Sequence, residues 1–253
     1  MRIACIHFPA FPLQVEVLQR SDLVGQPVAV LAARPRPHVA FCSRAAHEAG
    51  IRFGMAPLAA RGLVPDLVAI EPAEARWREA LVDLAGDLAD LSPTVEAAVD
   101  DGWSILLEVP TGRKSAEVGR ALRGVAEAAG YRARIGIAGD RFTAQAAARF
   151  GGGPVTLVRR GQAAAFLAPL SIELLPLQPE VRAMLRAAGV RTLGEFAALP
   201  PPSVDRACAV DYRELARGNG PSDLTPFRPL RAHPRRGRAA GNGRQLSLVS
   251  AAW

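Results

Sequence analysis

The sequence predicts an α/β (α+β) chain, with a ferredoxin-like sheet broken by a small insertion, then a helical unit and a basic tail. Three observations carry this. Strand-length apolar runs alternate with helix-period segments up to residue 150. Two short helical segments joined by Gly189-Val190 follow at 179–199. From Pro226 onward Pro, Gly, Arg and Ala dominate without any period, the composition of a linker or disordered tail.

Each element has its own signal. Residues 2–8 are a short apolar run closed by Pro9, a strand. Residues 11–20 read as a helix, with Pro12 where a first-turn proline is tolerated. Residues 28–31 and 38–41 read as paired strands about the turn Arg34-Pro35-Arg36-Pro37. Short helices at 43–49 and 56–61 stop at Gly50 and Gly62. Residues 73–91 carry the longest helical pattern, ended by Ser92-Pro93.

A strand at 103–109, a helix at 115–129, a strand at 132–138 and a helix at 141–150 follow. With the insertion set aside, this is β-α-β-α-β plus one or two extra strands, a ferredoxin-like sheet covered on one face. Gly151-Gly152-Gly153-Pro154 reads as a hinge. The expected domains are 1–10 with 73–153 (the sheet), 11–72 (the insertion), 154–222 (the helical unit) and 223–253 (the tail).

In the helical unit, 179–188 is amphipathic through Val181, Met184 and Leu185, and 192–199 opens with the capping box Thr192-x-x-Glu195. The pair reads as a helix-hairpin-helix, in which the turn amides of Gly189, Val190, Arg191 and Thr192 bind a DNA phosphate without reading sequence. A plain helical hairpin is an equal alternative.

Composition bounds the function. Of the 253 residues 49% are hydrophobic and 22% charged, the balance of a globular protein. No apolar stretch approaches the length of a membrane span. The uncharged run 3–15 contains His7, Pro9, Pro12 and Gln14 and lacks a small-residue cleavage site, so a cytoplasmic location is expected. The three cysteines, Cys5, Cys42 and Cys208, are odd in number, far apart and without ligand spacing. They read as buried thiols, with neither metal nor cofactor expected.

The charge is uneven. Residues 61–110 carry 3 basic and 11 acidic groups, while 224–253 carry six Arg and no acid. The tail thus supplies +6 of the net +7, which points to an anionic partner, non-specific DNA before a membrane surface. Arg235, Arg236 and Arg238 are the tail's densest cluster and are expected to contact DNA phosphates.

Several segments in order resemble a Y-family (translesion) DNA polymerase. Residues 6–16, IHFPAFPLQVE, are similar to the family's opening V-D-x-D-x-F-[FY]-[AV]-[SQ]-V-E. Gly25–30 match G-x-P-V-x-V, and residues 43–55 resemble S-Y-E-A-R-x-x-G-[VI]-x-x-G-M. Pro65-Asp66-Leu67 resembles C-P-x-L, and Gly136-Ile137 with its sequel G-I-x-x-N-K-x-[LF]-A-K. Gly189–194 resemble the thumb's hairpin. The resemblance implies a palm, inserted fingers, a helix-hairpin-helix thumb and nucleotide joining with two metal ions held by carboxylates.

The departures fall on the chemistry. The opening strand's two carboxylates are replaced by His7 and Pro9. The acidic pair of S-x-D-E-x-x-L-D falls on Trp103 and Ser104 when counted back from Leu107-Glu108, or on Asp100 and Asp101 with a gap. The ungapped count is preferred because it keeps the strand's alternation. In the triphosphate pocket Arg44 and His47 replace Tyr and Arg, Gln145 replaces Lys, and Pro12 stands at the sugar gate. Phe8, Phe11, Val15 and the shaping glycines remain, so the scaffold is kept while the chemistry is lost.

That combination resembles the non-catalytic ImuB group, here lacking most of the little-finger domain. The resemblance implies an adaptor in SOS-type DNA repair that links the sliding clamp to an error-prone replicative-type polymerase and a RecA-like accessory protein. The tail's Gln245-Leu246-Ser247-Leu248-Val249 resembles a bacterial clamp-binding peptide, with apolar anchors for a groove and one polar fix. Two other readings stand beside it. One is an active nucleotidyltransferase using Asp100, Asp101 and Glu108 as a displaced metal site; the other is a decayed helix-hairpin-helix DNA-binding remnant.

Overall fold

The computed structural model describes residues 1–92, 94–99, 102–199 and 212–224. Its main sheet has five strands in the order β5-β6-β1-β7-β8: β1 (Ile3–His7), β5 (Val95–Ala98), β6 (Ser104–Glu108), β7 (Arg134–Ala138) and β8 (Val155–Leu157). β1 lies centrally, antiparallel to both β6 and β7. Leaving out β8, the connectivity β1-α4-β5-β6-α5-β7 with order β7-β1-β6-β5 is the ferredoxin-like arrangement, where α4 is Glu74–Leu88 and α5 Ser115–Ala128.

Both faces of this sheet are covered, where the sequence predicted one. Strand alternation sends Ala4, Ile6, Ile105, Leu107, Ile135 and Ile137 into the core under α4 and α5. The other parity, Ile3, Cys5, Leu106 and Ala138, packs against α6 (Arg141–Phe150) through Ala144, Ala147 and Ala148. This helix sits unusually close. A Cβ on Gly136 would stand 2.2 Å from the Ala144 carbonyl oxygen and 2.3 Å from the Ala148 nitrogen, so only glycine fits beneath an alanine-faced helix.

The glycines at 151–153 are not where the sheet ends. β8 follows them and pairs in parallel with β7, Ile135 opposite Val155, so the sheet extends past the expected boundary at 153. Short strands such as β5 and β8 carry too few residues for a period-2 signal, so the sequence reading expected one or two extra strands without placing them.

The insertion holds α1 (Phe11–Gln19) and a three-stranded sheet, β3-β2-β4, of β2 (Val28–Ala32), β3 (His38–Cys42) and β4 (Val68–Ile70). Two helices, α2 (Arg44–Glu48) and α3 (Pro57–Leu63), enclose a small core of Ala29, Val39, Ala46, Ile51 and Ala60. The helical unit contains α7 (Ala163–Leu167), α8 (Pro179–Ala187), α9 (Leu193–Ala198) and α10 (Tyr212–Ala216), packed around Leu167, Leu185, Leu193 and Phe196. Its return segment meets the palm where the Arg141 amide donates to the Pro221 carbonyl at 3.1 Å. No helix among the described residues is long and apolar enough to cross a membrane.

Candidate functional site at the end of strand β1

Strand parity places His7 on the α6 side of the sheet, at the C-terminal end of β1. The register brings Ser104 beside it on β6 and Arg134 on β7. The His7 Nδ1 lies 3.4 Å from the Ser104 hydroxyl oxygen. From the last turn of α6, Arg149 reaches over Gly102, whose absent Cβ would stand 2.7 Å from the Arg149 guanidinium. Gly102 also has φ +85°, a conformation an L side chain would resist. The Arg149 Nε is buried with no hydrogen-bond partner among the described residues, while Arg134 donates to the Gly151 carbonyl.

These neighbours decide the charge state of His7. Burial first, then the positive charges of Arg149 and Arg134, lower its pKa to about 4 against the opposing pull of a hydrogen bond with the Gly102 backbone. The ring is therefore neutral at physiological pH. Among the described residues, a hard, oxygen-preferring ion such as Mg²⁺ would meet an imidazole, a hydroxyl and two guanidinium groups here, a donor set that does not fit it.

Of the two residues given by the ungapped count, only Ser104 faces His7. Trp103, with φ 60°, turns to the opposite face and packs on Phe11 at 5.7 Å and Trp77 at 6.1 Å between ring centroids. Pro9 lies in the turn after β1, and its carbonyl accepts from Gln14 at 2.7 Å. Glu108 pairs with Ile3, the far end of β6 from Ser104, roughly 13 Å away along a strand. The displaced site thus cannot draw Glu108 toward His7, and Asp100 and Asp101 lie outside the described residues. No group of three or more His, Cys, Asp or Glu residues is placed to hold a metal among the described residues.

The positions read as the triphosphate pocket are dispersed in role. Arg44 is exposed and paired with Glu48 at 2.6 Å, one turn along α2. Pro12 is buried in the first turn of α1. Gln145 and Arg149 line a cleft of about 260 Å³ between α6 and the helical unit, walled by Phe142, Phe150, Leu174 and Leu215.

Two structural polar residues escaped the sequence reading as anything but motif letters. Gln14 is buried and braces the turn before α1: its amide nitrogen donates to the Pro9 and Arg132 carbonyls, and its oxygen accepts from the Arg132 amide at 2.7 Å. Glu16 is likewise buried, accepting from the Trp77 indole at 2.8 Å and facing Arg76 at 3.3 Å. The available signal was two polar residues inside the otherwise apolar run 11–18.

The hairpin turn is built as the sequence predicted but its amides are spent. Gly189 (φ +83°) and Val190 donate back to the carbonyls of Arg186 and Leu185, closing α8 in a Schellman motif. The amides of Arg191 and Thr192 both donate to the Glu195 carboxylate, at 2.7 and 2.9 Å, and Thr192 Oγ1 returns the capping bond. Those bonds, from Arg191 first and then Thr192, hold the Glu195 carboxyl below its ordinary pKa. The expected phosphate cradle of Gly189, Val190, Arg191 and Thr192 amides is therefore already filled from within, leaving the exposed Arg191 side chain as the turn's one contribution. Arg235, Arg236, Arg238 and the peptide Gln245, Leu246, Ser247, Leu248 and Val249 lie outside the described residues.

The ferredoxin-like sheet, with its small insertion and following helical unit, is the mixed α/β fold of a Y-family polymerase palm. The impB/mucB/samB family model matches residues 6–149, and the chain belongs to this family of Y-family DNA polymerase-like proteins. It is 33% identical over 210 residues to DNA polymerase IV of Dehalococcoides mccartyi (strain CBDB1), covering 79% of this chain and 53% of that one. With DNA polymerase IV of Bacillus velezensis it shares 23% identity, over 98% of this chain and 61% of the relative. The chain thus spans between half and two thirds of these relatives' lengths. Among solved structures, DinB from Sulfolobus solfataricus superposes with a TM-score of 0.71 at 17% identity, covering 89% of this chain and 70% of that chain. The insertion ternary complex of Dbh DNA polymerase superposes at 0.72 and 17%, covering 88% and 69%.

Proposed function

We propose that this chain is a non-catalytic Y-family polymerase-like adaptor of the ImuB type, acting in DNA repair and error-prone translesion synthesis. One observation carries the reading. The strand end where the family's motif has carboxylates presents His7 and Ser104 between Arg134 and Arg149, a cationic environment that disfavours two-metal chemistry. In this role the 245–249 peptide tethers the chain to the sliding clamp, and the body helps recruit an error-prone replicative-type polymerase with a RecA-like accessory protein. DNA contact is non-specific, and the location is cytoplasmic and nucleoid-associated.

Two measurements test it. Purified protein should not extend a primed template with Mg²⁺ or Mn²⁺. It should bind the bacterial sliding clamp with micromolar affinity, and Gln245→Ala/Leu248→Ala should lose that binding. The relatives' shared name, DNA polymerase IV, favours a second reading, a working polymerase. Metal-dependent extension abolished by Asp101→Ala would establish it and sink the adaptor without catalysis.

A further inference from the structure

We propose that the outer edge of β8 is a docking site for an acidic, extended peptide of a partner protein, which joins the main sheet as an added strand. The inference goes beyond the adaptor reading and holds whether or not the chain extends primers. β8 ends the sheet order, paired in parallel with β7 on one side and with no strand on the other among the described residues. The register shows which of its backbone groups are already used. The Ile135 amide donates to the Pro154 carbonyl and the Val158 amide to the Ile137 carbonyl, so the alternation of a parallel ladder turns Pro154, Thr156 and Val158 toward β7. Val155 and Leu157 therefore point their N–H and C=O groups outward, where a further strand takes them up.

Side chains and charge say what that strand carries. Edge strands are commonly blunted by a charge or a proline inside the strand, and Val155, Thr156 and Leu157 include neither. Val155 packs over Gly119 of α5, while Leu157 stays 39% exposed. The exposed Arg159 and Arg160 follow directly, and Arg2 is anchored beside them by its bond to the Val158 carbonyl at 2.7 Å. Burial first, and then the nearby charge of Arg160, lower the Arg2 pKa. No Asp or Glu occurs between Asp140 and Glu173, so the segment supplies no counter-charge of its own. An extended peptide with an apolar side chain at alternate positions covers Leu157, and carboxylates beyond it answer the arginines. The chain's own tail does not match, since 224–253 carries six Arg and no acid. A nucleic-acid strand would answer the arginines but neither the outward backbone groups nor Leu157.

Isotopically labelled full-length protein should be titrated by amide-resolved NMR with the end-blocked peptide Glu-Glu-Val-Thr-Val-Glu-Glu and with its Lys-for-Glu counterpart. The acidic peptide should shift the Val155 and Leu157 amides saturably and slow their hydrogen exchange. The basic one should bind about tenfold more weakly. Leu157→Pro keeps the β7 ladder, because that N–H faces away from it, and should abolish binding. Arg159→Glu/Arg160→Glu should weaken the acidic peptide about tenfold and favour the basic one. Arg123→Gln, in an exposed α5 pair with Glu127, should bind as the wild type does. Near-ultraviolet circular dichroism reports the fold of each variant. No saturation, equal binding of the two peptides, Val155 and Leu157 amides left unmoved, or equal loss in Arg123→Gln would overturn the site. So would an oligothymidylate that shifts the same amides at lower concentration, which names nucleic acid, or a dimer abolished by Leu157→Pro, which names a second copy. None of these outcomes bears on primer extension, so the adaptor reading stands or falls separately.

Discussion

His7 is buried beside two guanidinium groups, so protonating it costs more in the folded chain than in the unfolded one. Its pKa lies near 4 in the fold, from burial and then Arg149 and Arg134, against about 6.5 when unfolded. Between those values the unfolded state takes up a proton that the native state refuses. The stabilisation is complete above pH 6.5 and is lost as pH falls toward 4, an effect on the order of 3 kcal/mol. Urea unfolding of the wild type should therefore weaken from pH 7 to pH 4.5, and His7→Gln should flatten that dependence by about 2 kcal/mol. A His7 ring that titrates near 6.5 by NMR would remove the argument. At this scale the sequence shows which residue types stand at the strand end but not their company. Arg134 and Arg149 are two of many arginines in the chain, and only register and the path of α6 bring them to His7.

Among the elements, the contact between α6 and the sheet is the tightest and the most open to test. Gly136→Ala would push a methyl into the Ala144 carbonyl and Ala148 amide of α6, both backbone atoms that cannot rotate away. We expect a loss of about 3 kcal/mol, at the upper end of overpacking costs. Gly62→Ala, in α3 with nothing within 4 Å of the new Cβ, should instead be neutral or gain up to about 1 kcal/mol. Equal effects on the thermal midpoint would mean that α6 sits farther from β7 than described. Long periodic segments such as 115–129 and 141–150 announce themselves, and their observed ends, Ser115–Ala128 and Arg141–Phe150, differ by at most one residue. What periodicity cannot carry is contact across the sheet. The capping box at Thr192 was legible, yet that Glu195 also takes the Arg191 amide, and so fills the supposed phosphate cradle, depends on a turn geometry that no spacing rule specifies.

Over the whole molecule, charge is sorted by segment. The outer side of α4 exposes Glu74, Glu79, Asp83 and Asp87 on the face of the sheet opposite Arg134 and Arg149. A duplex approaching the acidic outer side of α4 would be repelled. The tail dominates the arithmetic: 31 basic against 24 acidic residues give +7, and six arginines within 225–253 account for all but one of those charges. Each arginine that neutralises a phosphate on duplex DNA releases counterions and adds about 0.9 to the slope of log affinity against log salt. Removing residues 225–253 should thus flatten that slope by as much as about 5 and weaken binding alike on unrelated sequences. A slope that survives the truncation would put the grip on the body, where Arg134, Arg149 and Arg191 are the arginines to replace next. Sequence-specific binding that resists salt would contradict a backbone-only contact, because nothing in this charge pattern reads a base edge.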